Sequence, residues 1–524
     1  MITQAWQQYE DGRDYKRRIG LYERVRQNER FYRGDQWHGV NIENLPKPVF
    51  NVVKRVIDYL VCSVAANKYS ISYTDENLPY FGEGHQANEV RAALSLMTLN
   101  ASYRWEKCRM NDLVYSILLD AAITGDGAAY CYWDTDAGGG DYVGDIAVQT
   151  VDATNLFVAD MNRSDIQSQE YVILSGRTSV EALRREARAC GLSDREISRI
   201  RPDDDMDVSD SGEFSMSGIG GEDDRKATYL VRFFRENGKV VYEKSVRECV
   251  LRRVVTDCAL YPVAHFNWCA VKNCFHGASP VSEMVPNQKF INRAYAMVMK
   301  HMTDTAFSKV VYDKSRIPEW SSEVGEAIAV VGAPNVSDAV DVIPPGRMEN
   351  GYLDLIENAI LSTKEMMGAT ETALGNTVPN NTSAILALRE TSKLSLGRVE
   401  SAVSRCIEDI ANIWVDMMCA YYPDDRLLPF DEKDRTIAAR VNFPLLRSSL
   451  VRARVEISEA ERYSAATTLT MLDKLLEGKF ITVEQYLESL PDGILPNRRE
   501  LLEKVEVGKG GNQNDGSGGD SVDG

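Results

Sequence analysis

The chain has 524 residues, 44% of them apolar, and a formal net charge of −18. At roughly 150 residues per domain, that length allows about three or four structural units with sizeable cores. The charge has the wrong sign for a protein that wraps nucleic acid by matching phosphates with Lys and Arg. It suits solubility, basic partners, or DNA that must pass without sticking.

No apolar run approaches the ~18 residues a membrane span needs, "YLVCSVAA" (59–66) being among the longest. The start, "MITQAWQQYEDGRD", lacks a basic-then-apolar signal pattern, so a soluble cytoplasmic protein is the expectation. Ten cysteines (62, 108, 131, 190, 249, 258, 269, 274, 406 and 419) are scattered along the chain. Such scatter fits reduced core thiols better than a disulfide framework.

Residues 13–33 place Tyr15, Ile19, Tyr22 and Val25 on one helical face among alternating charges. "GDQW" (34–37) breaks that helix, and Trp37 reads as a buried anchor at its end. "VFNVVKRVIDYLVCSVAANK" (49–68) reads as a second, largely buried helix, and a third runs from about 86 to 122. "TGDG" (124–127) then makes a turn into a strand; phosphate cradles lead instead into helix N-termini. Strands follow at 128–134, 145–151 and 170–177, β-branched and aromatic between Gly and Asp turns. A short helix at 179–191 closes at Gly191. Residues 202–224 carry nine acidic residues and no basic one, which predicts a disordered, solvated loop. Strands resume over 227–243 around Asn237-Gly238, a strong hairpin signal.

From Ser279, a plausible N-cap, the pattern turns helical, with Pro280 in the first turn and Ile291, Ala294, Val298 and Met302 as one stripe. Pro286 should bend this helix or mark its start. Short strands and turns occupy 306–347. The next helix carries Leu353, Ile356, Ile360, Thr363 and Met367 at helical spacing. "GATETALGNTVPNNTSAI" (368–385) is a polar interruption before a long helix from about 383 to 421. A loop that long between two helices points to a use. "VRARVEI" (451–457) reads as a strand before two or three further helices, and the glycine-rich tail cannot pack.

Enzyme signatures are missing. The Gly-Lys pairs at 238–239 and 478–479 lack the upstream glycine and following Ser or Thr of a Walker A loop, and there is no His-Glu-x-x-His. Five histidines leave few acid–base candidates. "HFNWCAVKNCFH" (265–276) offers His265, Cys269, Cys274 and His276, four ligands of the kind a structural zinc takes. Its spacing, with Cys274 and His276 two apart and no Cys-x-x-Cys knuckle, favours a strand and turn with buried thiols and a satisfied histidine.

"ERFYRGDQW" with "LPKPVFNVVKRVIDYLVCSVAANK", the 151–187 segment, "YPVAHFNWCAVKNCFHGASPVSEMVPNQKFINRAY" (261–295) and "MMGATETALGN…NNTSAI" together resemble tailed-bacteriophage portal proteins. The likeness runs from about residue 20 to about 500 and rests on the order and spacing of these segments. It implies an α+β, portal-type subunit: an N-terminal helical region (1–105), an α/β wing (106–278), a first stem helix (279–305), a strand-containing clip (306–347) and a second stem helix (348–367). A tunnel loop (368–383), a long helix (384–425), a strand with a C-terminal helical crown (426–507) and a disordered Gly-rich tail (508–524) would follow.

The resemblance further implies a ring, a dodecamer in virions, set at one capsid vertex. Double-stranded DNA is packaged and ejected through such a ring, which acts as head–tail connector and not as an enzyme. The implied partners are the terminase large subunit, major capsid protein, scaffolding protein and head–tail adaptor, with no membrane, metal or cofactor. The implied location is the virion, and the host bacterial cytoplasm during assembly. On this reading Lys364, Thr370, Glu371, Thr372, Asn376, Thr377, Asn380 and Asn381 face the DNA channel, while Lys309, Tyr312, Lys314, Arg316 and Trp320 in the clip meet terminase or adaptor. The rival reading is a nucleotide-using DNA-packaging enzyme, an ATPase or nuclease. A shorter class, the structural head–tail adaptors, is a second rival.

Overall fold

The computed structural model describes residues 2–42, 45–76, 85–137, 143–203, 226–305, 309–321, 328–332, 335, 339–343, 351–369, 396–424, 426–432, 435–447, 449–458 and 464–490. The chain forms two compact units. The first takes residues 1–65 and 69–456, the second residues 66–68 and 457–524.

The first unit opens with α1 (Gln4–Arg18) and α2 (Leu21–Arg33). The single helix expected over 13–33 is broken at Gly20, whose φ of +66° is left-handed and caps α2. A residue without Cβ adopts that conformation at no steric cost, so the chain turns there. Tyr22 and Val25 are buried on α2, whereas Tyr15 and Ile19 are only half-buried. α3 (Val52–Ala65) buries Val53, Val56, Ile57, Leu60, Val61 and Val64, a wide apolar stripe. It stops earlier than the sequence suggested, because β1 (Lys68–Asp75) begins directly after it and pairs with a strand near residue 450. The third helix is also two: α4 (His85–Lys107) and α5 (Met110–Thr124), divided where Arg109 takes φ +49°.

Gly125 caps α5 at φ +106° and leads into β2 (Asp126–Asp134), so "TGDG" is a turn into a strand. β2 is the middle of an antiparallel three-stranded sheet between β3 (Asp145–Val151) and β9 (Val263–Asn267). A five-stranded antiparallel sheet runs β4 (Leu156–Val158), β5 (Tyr171–Ser179), β6 (Lys226–Glu236), β7 (Lys239–Val246), β8 (Cys249–Val255). Asn237 and Gly238, both at positive φ, make the two-residue turn of its β6–β7 hairpin. α6 (Val180–Ala189) and α7 (Asp194–Ile197) follow β5, and Gly191 takes φ +79° as expected of a helix stop. The acidic residues from 204 to 224, and the tail, lie outside the described residues.

α8 (Pro280–Thr305), β10 (Lys309–Tyr312), β11 (Val340–Ile343) and α9 (Gly351–Met366) come next, then α10 (Gly397–Tyr421). The long helix expected from 383 is described from Gly397 on. β12 (Leu427–Glu432) pairs with β13 (Arg435–Arg440), α11 is Phe443–Arg447, and β14 (Val451–Ser458) is the partner of β1. α10 carries the centre of the largest core: Val399, Val403, Ile407, Ile410, Trp414 and Met418 are buried together with residues of α3, α5, β2, β9 and α8. Helices and strands alternate through the unit in an α+β arrangement, as expected. In the second unit α12 (Ser464–Glu477) and α13 (Val483–Ser489) pack through Leu472, Leu487 and Leu490. Thr482 caps α13 and forms a capping box with Gln485.

Candidate functional site

Among the described residues, two features carry the site positions singled out by the sequence. The first is the α8–α9 helix pair. Ser279 starts α8: its Oγ accepts from the Val281 N–H and donates to the Ala122 carbonyl. Pro286 lies inside the continuous helix, within its second turn. One face of α8 is in the core through Met284, Val285, Ile291 and Ala296, while Phe290, Met297, Met299 and Met302 are exposed, Met297 at 66%. The expected stripe is therefore split: Ile291 is buried, Ala294 and Val298 are half-buried, and Met302 faces solvent. α9 buries only Ile356 and Thr363 and exposes Tyr352, Leu353, Leu355, Leu361 and, at 71%, Met366.

α9 ends in a defined stop. Gly368 takes φ +73°, its N–H donates to the Glu365 carbonyl, and the Ala369 N–H reaches back to the Lys364 carbonyl at 2.9 Å. That is a Schellman closure, so the polar stretch begins where the helix geometry ends. Lys364 is half-buried in the last turn of α9. Thr370, Glu371, Thr372, Asn376, Thr377, Asn380 and Asn381 lie outside the described residues.

The second feature is the strand pair. β10 and β11 run antiparallel, Lys309 opposite Ile343 and Tyr312 opposite Val340. Asp313 opens the turn that follows, accepting at Oδ1 from the Ser315 N–H and hydroxyl, and the buried Ile317 N–H donates to its carbonyl. The turn brings Trp320 back onto Tyr312, their rings 5.2 Å apart and 22° from parallel. Arg316 pairs with Asp313 at 3.5 Å, and Lys314 is exposed on the same turn. Tyr312 and Trp320 therefore share one small surface, Lys314 and Arg316 lie on the turn between them, and Lys309 contributes a strand position.

Residues 265–276 do something else. His265, on β9, and His276 converge on Asp126 at the start of β2. Asp126 accepts from Asn267 Nδ2 at 2.8 Å, from the Gly277 N–H at 2.6 Å and from His276 Nδ1 at 2.6 Å. His265 Nε2 lies 3.8 Å away, and its ring stacks on Phe275. Burial lowers the His276 pKa against the raising pull of Asp126, so a neutral imidazole donates through Nδ1. Cys269 is exposed and Cys274 half-buried, which corrects the expectation of two buried thiols. Among the described residues no group of three or more His, Cys, Asp or Glu is placed to hold a metal ion. Trp37 is likewise only half-buried, its Nε1 donating to the Pro48 carbonyl at 2.8 Å.

Two buried charges escaped the sequence reading. Lys16 is fully buried, and its ammonium donates to the carbonyls of Ala153, Thr154 and Leu156 at 2.9, 2.9 and 2.6 Å. Burial pushes its pKa down to about 7, against which three acceptors, one for each N–H, favour the charged form. Asp145 gathers Arg104, Lys107, Tyr422 and the Ile146 N–H. Neither follows from local pattern, since both join elements far apart in the chain.

Asp120, on α5, is half-buried, and its carboxyl is pushed up to about 7 by burial and by the nearby Asp152 and Glu29. A raised carboxyl stabilises the fold below the unfolded value, and that stability is lost as pH rises through the folded value, here between about 4 and 7. Asp120→Asn should flatten this slope and raise stability at pH 8 by roughly 2–4 kcal/mol. Urea unfolding at pH 5 and pH 8 checks it; an unchanged difference between the two pH values would show that Asp120 does not set the slope.

No helix among the described residues is long and apolar enough to cross a membrane. Residues 260–461 match the family model of the phage P22-like portal protein. No curated protein matches the chain. Among solved structures the chain is similar to a component of the neck of an empty gene transfer agent particle, at 11% identity and a TM-score of 0.38, over 84% of this chain and 90% of that one. It is also similar to a chain of the virion of a native gene transfer agent particle, at 10% identity and a TM-score of 0.39, over 89% and 93%.

Proposed function

We propose that this chain, whose residues 260–461 match the phage P22-like portal protein family model, is the subunit of a portal ring, a passive conduit for double-stranded DNA at the capsid vertex. The observation that carries the reading is the span of the match: it takes in α8, the β10–β11 pair, α9, the polar interruption and α10. The exposed apolar faces of α8 and α9 support it. Met297, Met302, Tyr352, Leu355 and Met366 are all more than half exposed in one chain, and neighbouring copies in a ring would cover them.

On this reading α8 and α9 are the stem and the β10–β11 segment is the clip. Its Tyr312–Trp320 stack, with Lys309, Lys314 and Arg316, would dock first the terminase large subunit and later the head–tail adaptor. An aromatic pair beside guanidinium and ammonium groups is the composition that protein interfaces favour. Residues 368–383 would be the tunnel loop, with Lys364 at its entrance. Hydroxyls and amides exchange hydrogen bonds with passing phosphates and water, whereas a ring of Lys or Arg would hold the DNA. The capsid and scaffolding proteins would meet the outer regions. Assembly would take place in the host cytoplasm, and the finished ring, a dodecamer, would sit in the virion.

Electron micrographs of the purified protein, viewed down the particle axis, should show rings with a central opening. Those rings should bind duplex DNA weakly, with a shallow dependence of log K on log[salt]. Compact monomers without an opening, or a slope that corresponds to many neutralised phosphates, would refute the reading. An ATPase assay separates it from the packaging-enzyme alternative, because a conduit turns over no nucleotide.

A further inference from the structure

Residues 13–33 carry eight basic and three acidic residues in a chain whose net charge is −18. Seven of the eight are arginine, and the single lysine, Lys16, is used internally. The surface they leave on α2 is therefore a guanidinium surface on an otherwise acidic molecule. Arginine presents a planar fork that fits a carboxylate or phosphate with two parallel hydrogen bonds.

The solvent face of α2 borders a cleft of about 590 Å³. Arg24, Arg26 and Arg30 line it, each half-buried and each without a carboxylate partner among the described residues. Phe31 forms an apolar floor, with Lys289 Nζ 5.6 Å from its ring centroid. The wall also holds Glu23 and Asp35, the latter 3.4 Å from His38. Half-buried guanidinium groups without a partner give up part of their hydration and receive no carboxylate in return.

We infer that this cleft is a docking site for an extended acidic peptide segment of a partner protein, one that carries an apolar side chain among its carboxylates. Charge sets the sign of the partner, and the mixed lining sets its class. A uniform polyanion such as a duplex would touch only the rim with its phosphates and would be repelled by Glu23 and Asp35. A peptide instead offers backbone N–H groups to those two carboxylates, side-chain carboxylates to the three arginines, and an apolar group to Phe31. A volume near 590 Å³ falls in the range of clefts that enclose a compact ligand. The inference stands apart from the channel reading, because α2 is neither stem, clip nor loop.

The test is fluorescence anisotropy on the full chain with two probes: a labelled peptide of about ten residues drawn from Glu, Asp and Leu, and a labelled duplex of about 20 base pairs, both at ~150 mM salt. The peptide should bind more tightly than the duplex, and Arg24→Gln with Arg30→Gln should weaken it at least about ten-fold. Arg26→Gln alone provides a milder change should the double variant not fold, with an expected loss of about three-fold. Tighter binding of the duplex, lost in the same variants, would make this a nucleic-acid surface and overturn the inference. So would peptide binding that is absent, or that the substitutions leave unchanged.

Discussion

Asp145→Ala should destabilise the first unit by roughly 3–5 kcal/mol, because it removes the carboxylate that faces the buried Arg104 guanidinium. Asp145 opens β3 and Arg104 sits near the end of α4, both almost wholly buried. Asp145 Oδ1 lies 3.3 Å from Arg104 Nη1 and accepts from the Tyr422 hydroxyl and the Ile146 N–H. Lys107 pairs with Oδ2, and Arg426 Nη2 stands 3.7 Å away. Burial alone would raise the Asp145 pKa, but Arg104 and the hydrogen bonds from Lys107, Tyr422 and Ile146 outweigh it and hold the carboxyl well below its usual range. A depressed carboxyl contributes stability above its unfolded value, near pH 4, and loses it as the pH falls through the folded value. Urea unfolding at pH 7 should show the full loss, and the gap between wild type and variant should narrow below pH 4. Asp145→Leu with Arg104→Met removes the central pair and should recover part of the loss, because Lys107 and Arg426 still lose their carboxylate. A single variant within about 1 kcal/mol of wild type would mean that the cluster does not hold α4, β3 and the end of α10 together.

What could be read in the sequence was what local physics dictates. The strand at 145–151 was legible to the residue, because β-branched residues stand between Gly and Asp turns. The β6–β7 hairpin was legible because Asn-Gly tolerates the positive φ its turn requires. α8 was visible from Ser279 and Pro280 together with an apolar stripe. The break at Gly20 had a signal, a glycine between two charged half-helices, that the continuous apolar spacing outweighed. The break at Arg109 had none, since a left-handed arginine is held only by the elements around it. β1 went unseen because its pairing with β14 joins distant residues, Ser72 and Arg454 across it being 382 positions apart. The Asp145 cluster, the Asp126–His276 contact and the cradle of Lys16 share that origin: each is a meeting of distant residues, invisible to any window. For the candidate site, the helix stop at Gly368 was legible from its glycine. The stacking of Tyr312 on Trp320 depends on how one turn folds back and was not.

Glu371→Lys with Asn376→Lys should slow DNA packaging at least about ten-fold while ring assembly stays intact, if residues 368–383 line the channel as proposed. The sequence there holds no Lys or Arg and one Glu, so each chain changes from a weakly repelling to an attracting loop, and the ring repeats the change in every copy. Salt limits the reach of such charges to about 8 Å, so distant acidic surface cannot compensate at the narrowest point. Each lysine that meets a phosphate releases a condensed counterion, and translocation then has to break that contact at every step. Two further variants separate charge from bulk. Glu371→Gln with Asn376→Gln keeps side-chain size and polarity without positive charge and should package at close to the wild-type rate. The lysine variant should regain speed as salt is raised, because screening weakens only the ionic contacts. In vitro packaging of duplex DNA with purified rings, capsids and motor gives the rate, and micrographs of the same preparation report assembly. Normal packaging by the lysine variant would take these residues off the DNA path. An equal slowing in the glutamine variant would make the loop a steric element, and its lack of positive charge would then be incidental.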